Sequence, residues 1–254
     1  MTFTLRGTLD TTQFYPSGSS DADTLHIAIE RLPRRRPARL VIDSEGRVTV
    51  RLRGVDAPEL HERPRCPMGL SRKEREAFMA HAATFRQPYA MRSVSRFRTW
   101  LAPGENTLVR CELRGESFAT ACDAYGRLIA DLFVRGDNAN LWLVRRGHAF
   151  PALYRSIPEA VRGQIRRAAR DAAEARRGVW ARFTREVDAF DPALRFPVRV
   201  GEEDRGAILW PKLFRRLCAW YVAKRAGLLA GALRDPLVAE GRLIAMPEAM
   251  VLRG

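Results

Sequence analysis

Lysine is almost missing from this chain: of 44 basic residues only Lys73, Lys212 and Lys224 are lysine, and the other 41 are arginine. No run of about 18 uncharged apolar residues occurs, which excludes an ordinary membrane-spanning helix, and no membrane partner is expected. The opening MTFTLRGTLD has no basic stretch leading into an apolar one, so no secretory signal is read and a cytoplasmic location is expected. Cysteine is scarce and unpaired in spacing: Cys66, Cys111, Cys122 and Cys218 form no C-x-x-C pair. A zinc site therefore has little support, and free thiols in a reducing compartment are expected. Acidic residues are in deficit, 29 against 44 basic, for a net charge of +15. Such a surplus attracts polyanions by counterion release. The planar fork of arginine matches phosphate oxygens two at a time. A GC-rich codon bias explains arginine over lysine equally well, but it does not remove the field.

What is present supports a sizeable fold. The 254 residues, 46% of them hydrophobic, suffice for one large domain or one domain with a smaller companion. Segments 2–9, 24–32, 38–42 and 47–55 are short, rich in Val, Ile, Leu and Thr, and separated by turn signals. Residues 47–53 alternate strictly, with Val48, Val50 and Leu52 on one face and Arg51 on the other, polar face. Residues 70–86 read as a helix with Ser71 as N-cap, Glu74 completing a capping box and Pro88 ending it. Another helix is expected to begin in 89–101. Strands return at 107–114 and 127–134, followed by a short helix over 137–147 stopped by Gly147 and a long one over 158–177 before Gly178. The pattern is α+β, with a small barrel. Composition shifts after Trp180: residues 186–205 resemble a linker, and Trp210, Leu213, Phe214, Leu217, Trp220 and Tyr221 mark one face of a further helix. Two units follow, 1–181 and a mainly helical extension, 182–254.

Three motifs carry chemistry. Asp21-Ala-Asp23-Thr24 stands at the entrance to a strand. Arg51 is followed five residues later by Asp56, then Ala57, Pro58 and Glu59. Asp123-Ala-Tyr125-Gly126-Arg127 forms a turn before a strand. Alone, each is an unremarkable cap or turn. Together, and in this order, they resemble the staphylococcal nuclease family, over roughly residues 2–181, with Trp180 similar to the end of the family's last helix.

Phosphodiester hydrolysis requires charge on the phosphate to be offset, water to be oriented or deprotonated, and the pentacovalent phosphorus to be stabilised. Asp23 and Asp56 are oxygen donors that could converge on a hard cation, and calcium fits such ligands. Glu59 is the candidate to position the attacking water. Arg51 and Arg127 are suited to clamp non-bridging oxygens. The resemblance implies more: a five-stranded OB-fold barrel with packed helices, Ca²⁺ as cofactor, and cleavage of DNA or RNA. It implies that Asp23, Asp56 and the Ala57 carbonyl hold the metal, that Arg51, Glu59 and Arg127 form the catalytic set, and that Asp21 supports the site. Tyr125 matches a residue of the nucleotide pocket, and Tyr154 is the nearest counterpart of a second. This chain departs from the pattern at Ala22, where Gly is usual, at Ala57, where Thr is frequent, and in a longer connection from Glu59 to Asp123.

Elsewhere two readings stay open. His61 could touch substrate or be an exposed loop residue. Arg34, Arg35 and Arg36 could grip a nucleic-acid backbone or be a solvated run. Arg162, Arg166, Arg167, Arg170, Arg176 and Arg177 could meet phosphates, or form a solvent face paired with Asp171 and Glu174. The 210–225 helix, with Lys212, Arg215, Arg216 and Arg225 opposite its apolar face, could meet a membrane or a protein partner, but packing onto the barrel or residues 228–252 is the simpler expectation. A nuclease is the leading reading. The alternatives are a nucleic-acid-binding barrel without catalysis, and a nuclease delivered to a protein partner by 182–254.

Overall fold

The computed structural model describes residues 2–101, 106–114, 117–154, 156–197 and 206–229. β1 (Thr2–Asp10) leads through a 3-10 turn at Thr11–Gln13 to β2 (Thr24–Ile29), β3 (Arg47–Leu52) and the two-residue β4 (Val55–Asp56). α1 (Arg72–His81) and α2 (Ala90–Leu101) fill the connection to β5 (Asn106–Arg114). There follow β6 (Leu128–Val134), β7 (Asp137–Asn138), α3 (Ala139–Arg145), β8 (Phe150–Pro151), α4 (Glu159–Glu174) and α5 (Pro211–Arg225).

Five strands close into the barrel that the sequence leads one to expect. They run in the order β3-β2-β1-β5-β6, and β6 pairs back onto β3. That closing seam is parallel, with Val50 opposite Leu128 and Arg51 opposite Ile129, whereas the other four pairings are antiparallel. Alternation sends Leu5, Leu9, Leu25, Ile27, Val48, Val50, Leu128 and Leu132 inward, all buried. Burying each such aliphatic side chain contributes about 1.5–3 kcal/mol. The same alternation turns Arg51 to the outer face. Gly54 (φ +72°) then bends the chain from β3 into β4 in a left-handed conformation, and a Cβ there would lie 2.4 Å from Ile165 Cδ1. This bend carries Asp56 back toward Arg51.

Helices cover the barrel. Asn140 of α3 accepts from Leu132 N at 2.9 Å and donates to the carbonyls of Arg53 and Ala130 at 2.8 and 3.1 Å, so its amide stitches helix to barrel. α4 lays Ile165, Ala168, Ala169 and Ala172 inward. A second apolar cluster joins Phe78 of α1 and Phe85 to Leu209 and to Leu213, Phe214, Leu217, Cys218 and Val222. The apolar face of α5 is thus spent on α1 and its sequel. Among the described residues no helix is long and apolar enough to cross a membrane.

Several expectations are corrected. Residues 38–42 make turns and one isolated bridge, Ile42 to Val48, not a strand. The physical reason is that β2 takes one edge of β3 and β6 takes the other from Val50 to Leu52, which leaves only the start of β3 for Ile42 to meet. α1 has the Ser71–Glu74 capping box but stops at His81, well before Pro88, because Phe85 pairs with Glu62 and its ring enters the second cluster. α4 stops at Glu174, and its Arg162 and Arg166 pair with Glu159, not with Asp171 or Glu174. Residues 186–197 pack instead of linking: the Phe190 ring lies 5.7 Å from Phe214, and Arg195 O accepts from the buried Arg86 Nε at 3.1 Å. The acidic run at 202–204, and residues 230–252 as a cover for α5, lie outside the described residues. The four cysteines are free thiols, with Cys111 and Cys218 buried.

His148 supplies a pH-dependent contribution to stability. It shares a 2.9 Å hydrogen bond with the Tyr89 hydroxyl and lies against Trp142. Burial, aided by the charges of Arg96 and Arg146, pushes its pKa down to about 4 from 6.5. Between these values the unfolded chain takes up a proton that the native one refuses. The contribution is therefore complete above pH 6.5 and is lost as pH falls toward 4. Thermal melts from pH 7 to 4.5 are expected to show a smaller fall in Tm for His148→Asn than for the wild type; parallel curves would refute this.

Candidate functional site

Three separated chain segments meet on one side of the barrel. Asp23 precedes β2, and its neighbour Thr24 pairs with Arg51 across the β2–β3 ladder. Arg51 projects from the outer face of β3, and Asp56 returns from the Gly54 bend. One guanidinium joins them: Arg51 Nη1 donates to Asp23 Oδ1 and, at 3.2 Å, to Thr24 Oγ1. Its Nη2 donates to Asp56 Oδ1 at 2.7 Å and to Val55 O at 3.3 Å. The second Asp23 oxygen accepts from Ala57 N at 2.6 Å. Asp23 and Asp56 are 1% and 2% exposed. Asp21 stands behind them, accepting from Leu60 N at 3.0 Å with His61 Nδ1 at 3.4 Å, so it braces the loop carrying Glu59. His61 is not a free loop residue: besides Asp21 it faces the Phe196 ring at 6.0 Å.

Glu59 is 9% exposed and held at its backbone by Gln87, whose Oε1 accepts from Glu59 N at 2.9 Å while its own N–H donates to Glu59 O at 2.7 Å. Its carboxylate meets a group from far along the chain. Arg215 Nη1 donates to Glu59 Oε1 and to Asp56 Oδ1 at 3.2 Å, and Nη2 donates to Asp56 Oδ2 at 3.3 Å.

The electrostatics follow from crowding acids in a dry place. Burial above all, then the neighbouring Asp21, raises Glu59 well above the usual carboxylate range, and Arg215 opposes the rise. Burial likewise raises Asp23 despite the pull of Arg51, with Asp56 and Asp21 adding to it. For Arg51 the balance reverses: burial works against its charge, but Asp23, Asp56 and Glu59 prevail and hold it protonated.

The second arginine of the sequence motif stands apart from this cluster. Arg127 precedes β6, and by strand alternation it shares the face of Ile129, the partner of Arg51. Its Nε donates to Asp123 Oδ2 at 2.8 Å, and its guanidinium carbon lies 5.2 Å from the Tyr125 ring centre. Arg65 covers the same ring at 4.5 Å. Tyr125 and Tyr154 are 58% and 55% exposed, each on its own loop. Arg34, Arg35 and Arg36 are exposed in the loop between β2 and β3.

Among the described residues no three or more acidic, histidine or cysteine side chains are arranged as a metal cage. The donor chemistry nonetheless fits a hard cation. Asp21, Asp23, Asp56 and Glu59 offer only oxygen, and Arg51 and Arg215 leave two of their four negative charges unbalanced when all are ionised.

Two participants escaped the sequence reading. Gln87 carries no motif. Arg215 had one signal: it stands in a helical row with Pro211, Cys218 and Val222, all buried, where an arginine needs a buried acidic partner. No curated protein matches the chain. The family model for staphylococcal nuclease homologues matches residues 49–182, more than half of the chain, a stretch holding Arg51, Asp56, Glu59 and Arg127 but neither Asp23 nor Arg215. With the closed barrel and the order of its motifs, this match makes the chain a member of the staphylococcal nuclease homologue family.

Proposed function

We propose that this protein hydrolyses phosphodiester bonds of nucleic acid in a Ca²⁺-dependent reaction. The observation that carries the reading is the convergence of Asp23, Arg51 and Asp56, with Glu59 joined to Asp56 through Arg215, at the barrel surface. Asp23, Asp56 and the Ala57 carbonyl would hold the cation, which when bound offsets charge on the scissile phosphate. Glu59 accepts a proton from water as the water oxygen bonds to phosphorus. The bond from phosphorus to the sugar oxygen then breaks, and that oxygen takes a proton from solvent water as it leaves. Arg51, on leaving Asp23 and Asp56, donates to the non-bridging oxygens as their charge grows, and Arg127 does so from the same barrel face on leaving Asp123. Tyr125 and Tyr154 offer exposed rings to nucleobases. The net charge of +15 draws the polymer in.

The alternative, binding without cleavage, is served by the charge but not by the acids. Four clustered carboxylates repel phosphate, and a module that only binds gains nothing from them. Single-stranded DNA and RNA, incubated side by side with protein in Ca²⁺ and in chelator, test the proposal. Cleavage with Ca²⁺ alone is expected. Equal cleavage in both conditions, or none in either, would overturn it.

A further inference from the structure

Arg215 lies outside the family match, yet it makes three hydrogen bonds to two acidic residues of the site. The segment that carries it is tied to Glu59 by a second route. Gln87 bonds both backbone groups of Glu59 and donates from Nε2 to Leu209 O at 2.8 Å, just before α5. α5 itself is anchored by Leu213, Phe214, Leu217 and Val222 against Phe78 and Phe85. A guanidinium mounted on a packed helix fixes its partners more firmly than one on a loop. Arg215 Nη1 holds the Glu59 carboxylate through Oε1 while it also holds Asp56, so one guanidinium spans both acids.

We propose that Arg215 is a positioning residue of the hydrolytic site. It sets the Glu59 and Asp56 carboxylates relative to each other, so α5 is part of the active site and not an appendage. The inference rests on the reading of Glu59 as the water-orienting group. An opposing role, a latch that must leave before turnover, gives the opposite sign in the same experiment.

The experiment compares wild type, Arg215→Ala, Arg215→Lys, Glu59→Gln and the Arg215→Ala/Glu59→Gln double variant. Each is melted to check folding and assayed on a fluorescent single-stranded oligonucleotide with Ca²⁺. Arg215→Ala is expected to lower kcat about 100-fold with KM nearly unchanged, as misplacement of a reacting group does. Arg215→Lys should fall between it and the wild type. Millimolar guanidinium ion should restore part of the rate of Arg215→Ala and none of that of Glu59→Gln. The double variant should be less impaired than the product of the two single losses, because Arg215 acts in part through the Glu59 carboxylate. A folded Arg215→Ala that cuts as fast as or faster than wild type, or a double variant impaired by the full product of the two single losses, overturns the inference alone. If Arg215→Ala does not fold, a wild-type rate in Arg215→Lys overturns it equally. A wild type that leaves the oligonucleotide intact overturns the functional reading and this inference with it.

Discussion

Glu59→Gln is expected to lower the cleavage rate about 10³-fold while leaving the fold and nucleic-acid binding intact. The size is that of removing a positioned general base. Glutamine keeps the shape of the side chain and an oxygen to accept from Arg215, so the hydrogen bonds around it survive in outline. It cannot take a proton from water. Because burial already works against the Glu59 charge, the neutral side chain should not lower Tm. One negative charge fewer beside the phosphate should tighten binding of a single-stranded oligonucleotide. Rapid-quench cleavage and fluorescence anisotropy on the same substrate separate the two quantities. A Glu59→Gln protein that cuts like the wild type would remove Glu59 from the mechanism. One that neither cuts nor binds would point to a collapsed site.

Arg51→Ala should harm stability and rate together. It leaves Asp23 and Asp56, 1% and 2% exposed, without the guanidinium that joins them. Stripping one partner from a buried charge pair costs about 3–5 kcal/mol, and in a protein of this size that lowers Tm by about 10 °C. The deficit should shrink as pH falls, since a protonated carboxyl no longer needs a cation. The sign is that of a carboxylate with a raised folded pKa, which is least costly below that pKa. Arg51→Lys divides the two effects. One ammonium restores charge and part of the Tm, but it lacks the planar fork that donates to two non-bridging phosphate oxygens at once, so the rate stays low. Equal Tm for wild type and Arg51→Ala across pH would refute the pairing argument. A wild-type rate in Arg51→Lys would refute the need for the fork.

Much of the barrel was legible because strand alternation is a local property. Val48, Val50 and Leu52 face inward, and Arg51 outward, as their period requires. The Ser71–Glu74 box, the Gly147 stop and the short helix at 139–145 were likewise written in neighbouring residues. Segment 38–42 failed the same test. Its composition suits a strand, but a strand needs a long open edge, and β6 leaves only the start of β3 free, enough for the single Ile42–Val48 bridge. Of the site residues, Asp23, Arg51, Asp56 and Glu59 stood out through motif order, whereas Gln87 and Arg215 belong to no motif. The basic side of α5 reads equally well as a solvated face, yet Arg215 turns onto Asp56 and Glu59.

From the order of its residues alone this chain determined its strands, most of its helices, its excess of positive charge and the acids and arginines suited to phosphodiester chemistry. The tertiary structure decided which charges share a site: Arg51 joins Asp23 to Asp56, Arg127 stays on Asp123, and Arg215 reaches Glu59 from 156 residues away. Periodicity and capping act over a few residues and can be read along the chain. The pairing of buried charges depends on which helix and strand surfaces pack together, and a linear pattern does not encode that.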